Sequence, residues 1–326
     1  MRKRTKGVWA RLVLLLAVVA LALTTSACSK RRTVRVPIPP AYPGQTSRAE
    51  TPPSSLPKEK ISRAPGQPAE YSLQPPRECQ ISPHPPWWRC LHQSETGESL
   101  VYYLYLPRQN HGGTASLPLV TFLHGSSGSG PGDGKPVTGG HRHGSNLWIR
   151  ETVQEQYPSI VLAPQAQPAP GETWVRTWRA PSPGDTSPKE ALVLVHEVIS
   201  KLSEQLPVDR RRLYLTGQSM GGFGAWLAYT RYPGQFAAIV PVCGGGDVGA
   251  VTRNSTAVWA FHGDNDRVVP VSRSREMVEA IRSLNGNVRY TEYSGLGHNI
   301  FERVYSEPDL VEWLFSQRLE TEPPLE

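Results

Sequence analysis

Arg212-Leu-Tyr-Leu-Thr-Gly-Gln-Ser-Met-Gly-Gly-Phe-Gly-Ala-Trp-Leu-Ala-Tyr-Thr-Arg-Tyr232 is the stretch on which the reading of this chain turns. Residues 213–216 form a short apolar, aromatic and β-branched run that reads as a buried strand, and the Ala/Leu-rich residues 223–231 read as a helix. Between them stands Gly217-Gln218-Ser219-Met220-Gly221, a G-x-S-x-G sequence in the strand-turn-helix setting of a nucleophile elbow. In such an elbow the serine occupies a sharp, strained turn, and glycines beside it let strand and helix approach closely. Ser219 is therefore the candidate nucleophile.

Outward from the elbow, residues 100–106, 118–123, 159–163, 237–242, 257–261 and 288–293 repeat the strand signal. Several are almost wholly apolar, as expected of parallel strands covered on both faces. Helical patterns alternate with them at residues 146–156, 188–205, 223–231, 272–284 and 308–317. This alternation predicts an α/β protein, a three-layer sandwich around a mainly parallel sheet.

Three further segments carry chemistry. After strand 118–123 comes His124-Gly125-Ser126-Ser127-Gly128-Ser129-Gly130, which lacks the spacing of a phosphate-binding loop. Acyl transfer places negative charge on a carbonyl oxygen, and the backbone N–H groups of Ser126 and Met220 are the candidates to receive it. Strand 257–261 leads into His262-Gly-Asp264-Asn-Asp266-Arg-Val-Val-Pro270, and strand 288–293 into Ser294-Gly-Leu-Gly-His298. Ser219, Asp266 and His298 thus follow one another in the order nucleophile, acid, base, each beyond the carboxyl end of its own strand. Asp264 and Asp247 are rival acids, and His262 reads as structural. His141-Arg142-His143 offers two metal ligands and reads as a solvated loop, so no metal site is expected. Trp174 and Trp178 either wall a pocket or pin a loop.

The N-terminal part differs in kind. Arg2, Lys3, Arg4 and Lys6 precede an apolar run over residues 12–23 and a small-residue tail, an export-signal pattern. Twelve helical residues reach only about 18 Å, short of a bilayer core of roughly 30 Å. Thr25-Ser-Ala-Cys28 resembles a bacterial lipobox, which makes Cys28 the candidate for lipid attachment; ordinary secretion and a retained helix are the alternatives. Residues 29–76 hold 11 prolines in 48 positions without apolar periodicity, the composition of a linker. The expected domains are a signal at 1–27, a tether at 28–76, a catalytic domain at 77–320 and a tail at 321–326. The net charge of +7 also resides at this end: residues 1–76 carry 13 Lys+Arg against 3 Asp+Glu, which leaves 22 against 25 for the remainder. A folded part of net −3 gives no support to nucleic-acid binding. In an exported protein Cys79 and Cys90 are candidates for a disulfide, and Cys243 reads as an inert core thiol.

Over residues 100–318 the segments Leu-Pro-Leu-Val-Thr-Phe-Leu-His-Gly, Leu-Thr-Gly-Gln-Ser-Met-Gly-Gly, His-Gly-Asp-Asn-Asp-Arg-Val-Val-Pro and Gly-Leu-Gly-His-Asn resemble the secreted esterase and peptidase branch of the α/β-hydrolase superfamily. That branch includes polyhydroxybutyrate depolymerases, feruloyl esterases and dienelactone-hydrolase-like proteins; dienelactone hydrolases proper use Cys where this chain has Ser219. The resemblance implies a serine hydrolase of carboxylic esters, without cofactor, acting as a monomer on small or polymer-linked esters and held at the membrane by its lipid. The alternatives are a serine peptidase of prolyl-oligopeptidase type and a catalytically dead surface binding module.

Overall fold

The computed structural model describes residues 73–108, 116–167, 174 and 190–324, all within one compact unit, Gln67–Glu326. The signal, Cys28, most of the tether, Trp178 and the last two residues lie outside the described residues. Nine strands form one sheet in the order β1-β2-β3-β5-β4-β6-β7-β8-β9. They are β1 (Cys79–Ile81), β2 (Trp88–Gln93), β3 (Ser99–Tyr105), β4 (Leu117–Leu123), β5 (Ile160–Gln165), β6 (Val208–Gln218), β7 (Ala238–Val242), β8 (Ala257–Gly263) and β9 (Val288–Tyr293). The first three pair antiparallel, and β3 is antiparallel to β5; from β5 through β9 every pairing is parallel.

Side-chain alternation divides the core into two layers. Leu119, Leu123, Leu213, Leu215, Ile239 and Val258 face α3 (Ala191–Gln205), α4 (Met220–Arg231) and α5 (Ser272–Ser283). Val120, Phe122, Tyr214, Val240, Trp259 and Phe261 face the opposite way. There they meet α1 (Arg142–Asn146), α2 (Glu151–Gln156), α6 (Phe301–Val304), α7 (Leu310–Ser316) and the turn carrying Trp148. β4, β5, β7 and β8 are buried along their whole length. Each fully buried large side chain there contributes roughly 1.5–3 kcal/mol. The result is the three-layer α/β sandwich expected from the alternation of strands and helices.

Two edges of the unit differ from the sequence reading. The residues around Cys79 and Cys90 pair as the β1–β2 hairpin, in which the two cysteines are directly opposite and joined by a disulfide. Leu73, ahead of it, already packs on the core. At the other end the chain does not fall away at 320. Leu319 N–H donates to the Arg211 carbonyl at 3.0 Å, and Arg318 reaches the buried Asp209 carboxylate at 3.0 Å. The Arg210 guanidinium donates to the Pro323 carbonyl. The C-terminal segment is thereby clasped to the first residues of β6, the strand whose far end carries Ser219.

Candidate active site

The parallel strands deliver the sequence-derived candidates to one edge of the sheet. β6 ends at Gln218, and Ser219 follows as N-cap of α4 with φ 54° and ψ −116°. A positive φ on a non-glycine residue stores roughly 1–3 kcal/mol and persists only where its surroundings enforce it. They do so here: Ser219 N–H donates to the Val242 carbonyl at 2.8 Å, and its own carbonyl accepts from Phe223 N–H at 3.0 Å. Gly221 allows the turn, because a Cβ there would collide with the Leu123 carbonyl.

Ser219 Oγ lies 2.9 Å from His298 Nε2, and His298 Nδ1 lies 2.7 Å from Asp266 Oδ2. Asp266 Oδ1 accepts from the Val268 and Val269 amides at 2.8 and 2.9 Å. Burial alone would raise the Asp266 carboxyl, but the hydrogen bond from His298 and the two amides hold it below the ordinary carboxylate range. The rival acids are engaged elsewhere. Asp264 accepts from Gly295 N–H at 2.7 Å and Ser294 Oγ at 3.1 Å, tying the two loops together, and Asp247 caps a short turn through Gly249 N–H at 2.9 Å.

The glycine-rich loop closes over Ser219 from the β4 side. A Cβ on Gly125 would stand 3.5 Å from Ser219 Cβ. Its neighbour His124 accepts from Ala166 N–H at Nε2, 3.0 Å, so its proton sits on Nδ1 and donates to the Gly125 carbonyl at 2.7 Å. Burial pushes the His124 pKa down to about 3, which keeps this tautomer neutral. With the Gly125 carbonyl held, the planar trans peptide turns Ser126 N–H to the opposite side. Met220 is the first residue of α4, where backbone N–H groups have no acceptor within the helix and the dipole is positive. Trp174 pins this loop, its indole donating to the His124 carbonyl at 2.8 Å with its ring 4.8 Å from the imidazole.

His141 corrects the sequence reading: it is buried, not solvated. Its Nδ1 lies 3.1 Å from Gln218 Nε2, and its Nε2 lies 3.0 Å from Ser127 Oγ. Since the Gln218 amide donates to Nδ1, Nε2 carries the proton and donates to Ser127; burial pushes the His141 pKa down. With Ser126, Ser127, Gln218, Ser219 and His298 it lines a cleft of about 620 Å³. No periodicity marks a cleft residue in so glycine-rich a segment, so nothing in the sequence separated His141 from a surface histidine.

Cys243, His262 and Asp266 bring one potential ligand atom each within 4.8 Å of one another. They do not suit a cation. His262 Nε2 faces only the Val269 carbonyl at 3.0 Å and the Asp266 carboxylate at 3.2 Å, so it bears a proton rather than a lone pair. Burial, and then the Asp266 carboxylate, push the Cys243 thiol up. Cys243 is buried as expected, with its thiol against the His298 carbonyl at 3.5 Å.

The phospholipase/carboxylesterase family profile matches residues 111–307 of this chain. The chain belongs to this family of α/β hydrolases. A solved thermostable esterase is 35% identical, with a TM-score of 0.64 over 71% of this chain and 63% of its own. A bifunctional acetylxylan esterase/xylanase of Neocallimastix patriciarum is 26% identical over 180 residues, 55% of this chain. The aligned part of this chain spans only 23% of that larger protein. The feruloyl esterase module from Clostridium thermocellum, solved with sinapinate, shares the fold at 14% identity and a TM-score of 0.51, over 77% of this chain and 94% of its own.

Proposed function

We propose that this member of the phospholipase/carboxylesterase family is a serine hydrolase of carboxylic esters. The observation that carries the reading is the unbroken run Ser219 Oγ, His298, Asp266, with separations of 2.9 and 2.7 Å, at the wall of an open cleft. Ser219 Oγ attacks the ester carbonyl while His298 Nε2 takes its proton. His298 returns that proton to the departing alkoxide, leaving an acyl-Ser219 and a free alcohol. Water then attacks the acyl group by the same exchange, releasing the acid and restoring Ser219. Asp266 keeps the imidazole in the Nδ1–H tautomer and stabilises the imidazolium. The N–H groups of Ser126 and Met220 receive the oxyanion.

The cleft supports a polar substrate. Ser126, Ser127, Thr138 and Asn299 offer hydroxyl and amide groups, and Phe301 supplies the large apolar surface. Such a lining suits an ester of a hydroxylated alcohol better than a long acyl chain. We propose further that Cys28 carries lipid and that the protein acts as a monomer at the cell envelope, its Pro-rich tether spacing the cleft from the membrane. No described helix is long and apolar enough to cross a bilayer.

The test is turnover of acetyl, feruloyl and long-chain p-nitrophenyl esters beside one dipeptidyl amide, for the native protein and Ser219→Ala. Short-chain or feruloyl ester turnover that vanishes in Ser219→Ala is expected. Faster cleavage of the amide would make the protein a peptidase, and activity in Ser219→Ala would overturn the mechanism.

A further inference from the structure

Asp266 stands between two imidazoles, each backed by a serine: Ser219, His298, Asp266, His262 and Ser274 follow at 2.9, 2.7, 3.2 and 2.7 Å. The second imidazole is held as firmly as the first. His262 is the penultimate residue of β8 and is completely buried, as is Ser274 on α5. Its protons can be counted. Nε2 faces two acceptors, the Val269 carbonyl and Asp266 Oδ2, and must carry hydrogen. Burial pushes its pKa down, so the ring is neutral and Nδ1 is bare, accepting from the Ser274 hydroxyl. Ser274 Oγ also lies 3.0 Å from the Gly244 carbonyl, so its single proton is shared between that carbonyl and Nδ1. Asp266 therefore accepts three hydrogen bonds, two from amides on Oδ1 and one from His298 on Oδ2, and Oδ2 also faces the His262 N–H group at 3.2 Å.

We infer that His262 is a positioning residue for catalysis: its Nε2–H, bonded to the Val269 carbonyl and 3.2 Å from Oδ2 of Asp266, steadies that oxygen in line with His298 and limits how tightly the carboxylate grips the His298 imidazolium. The inference rests on the Ser219, His298 and Asp266 reading. A carboxylate that faces the positive end of a further N–H dipole is partly neutralised by it, and attracts a neighbouring cation less. Without the His262 donor, His298 stays protonated to higher pH and the carboxylate gains freedom to turn.

The other groups around this pair do not confuse the effect. The Cys243 thiol, beyond β7, is pushed up by burial and stays neutral. Glu292 on β9 is held below the ordinary range, first by the Arg275 guanidinium at 2.6 Å, and stays ionised. Neither group changes charge between pH 5 and 8, so a displaced acid limb reports on the Asp266–His298 pair.

The experiment is the pH profile of kcat/KM on p-nitrophenyl acetate for His262→Leu and His262→Gln, normalised by active-site titration with a fluorophosphonate. For His262→Leu the acid limb should move to higher pH by about half to one unit and kcat should fall about ten-fold, with KM within about two-fold. Gln can place an amide N–H where Nε2–H stood, and should restore limb and kcat to within about three-fold. An unmoved limb in His262→Leu, or equal damage in His262→Gln, would overturn the inference. If neither variant folds, ¹⁵N-histidine spectra of the native protein decide. His262, assigned through contacts of its Nε2–H with the Val268 and Val269 amides, should hold the Nε2–H tautomer from pH 5 to 8. An Nδ1–H tautomer, or no such proton, would overturn it. Turnover surviving in Ser219→Ala would instead overturn the reading of the site itself.

Discussion

Asp266 and Asp264 differ by two positions and by everything that surrounds them. Asp266 meets His298 and two amides inside the protein, whereas Asp264 spans an exposed turn. Asp266→Asn should therefore lower kcat by about 10⁴-fold, as the same change does in a serine-protease triad, while Asp264→Asn should cost no more than about ten-fold through loosening of the His298 loop. Steady-state kinetics on one ester checks both, and greater damage from Asp264→Asn would reassign the acid. His124 gives a prediction of another kind. Its pKa falls from 6.5 in water to about 3 in the fold, because burial disfavours the imidazolium. Between those values the unfolded chain binds a proton that the folded chain refuses, so stability falls as pH drops from about 6.5 towards 3, by at most about 1.4 kcal/mol per unit. Urea melts at pH 7 and pH 5 should show a shallower loss for His124→Asn than for the native protein, although the variant starts lower at pH 7. At this scale the sequence exposed residues that sit in motifs of fixed order. His141 and His262 earn their places through partners far along the chain, Gln218 and Ser274 among them, which no local pattern announces.

The strands of the parallel sheet were legible because burial on both faces leaves runs of nothing but apolar side chains. Elements governed by other forces were not. Helix α4 begins at Met220, three residues before its Ala/Leu-rich part, because Gly221, Gly222 and Gly224 hide the helical signal. Those glycines are needed where the helix passes the Leu123 and Val242 carbonyls and Trp174. Of the helix predicted over residues 146–156 only Glu151–Gln156 forms; a separate short helix, Arg142–Asn146, ends where that range begins, and the turn between them buries Trp148. The β1–β2 hairpin has only three residues in its first strand and is held by the Cys79–Cys90 crosslink rather than by strand propensity. Replacing both cysteines by serine should lower unfolding free energy by about 2–3 kcal/mol, the chain-entropy value for a loop of this size. Since β2 joins the rest of the sheet only through β3, kcat should change less than two-fold. Denaturant melts and ester assays on the double variant test the two statements together.

For the whole molecule, composition separated a basic, Pro-rich N-terminal part from a mildly acidic body, and that division bears on the proposed lipid anchor. Cys28→Ser should release the protein from membranes without altering kcat/KM, measured by fractionation and by assay of the released protein. Retention of the variant would point to an uncleaved signal helix. The α/β class and its layers followed from apolar runs alternating with helical patterns, but the final residues, polar and Pro-rich, gave no sign that they would fasten to Arg210 and Arg211. That clasp sets a direction. β6 runs eleven residues from the clasped end to the elbow, about 35 Å at 3.3 Å per residue, so the clasped residues up to 324 lie at the end of the strand opposite Ser219. A fusion partner, affinity handle or solid support joined there would leave the mouth of the cleft unobstructed, so a bead coated through the C-terminus should carry its enzymes facing outward, able to meet polymers too large to diffuse between molecules attached the other way round.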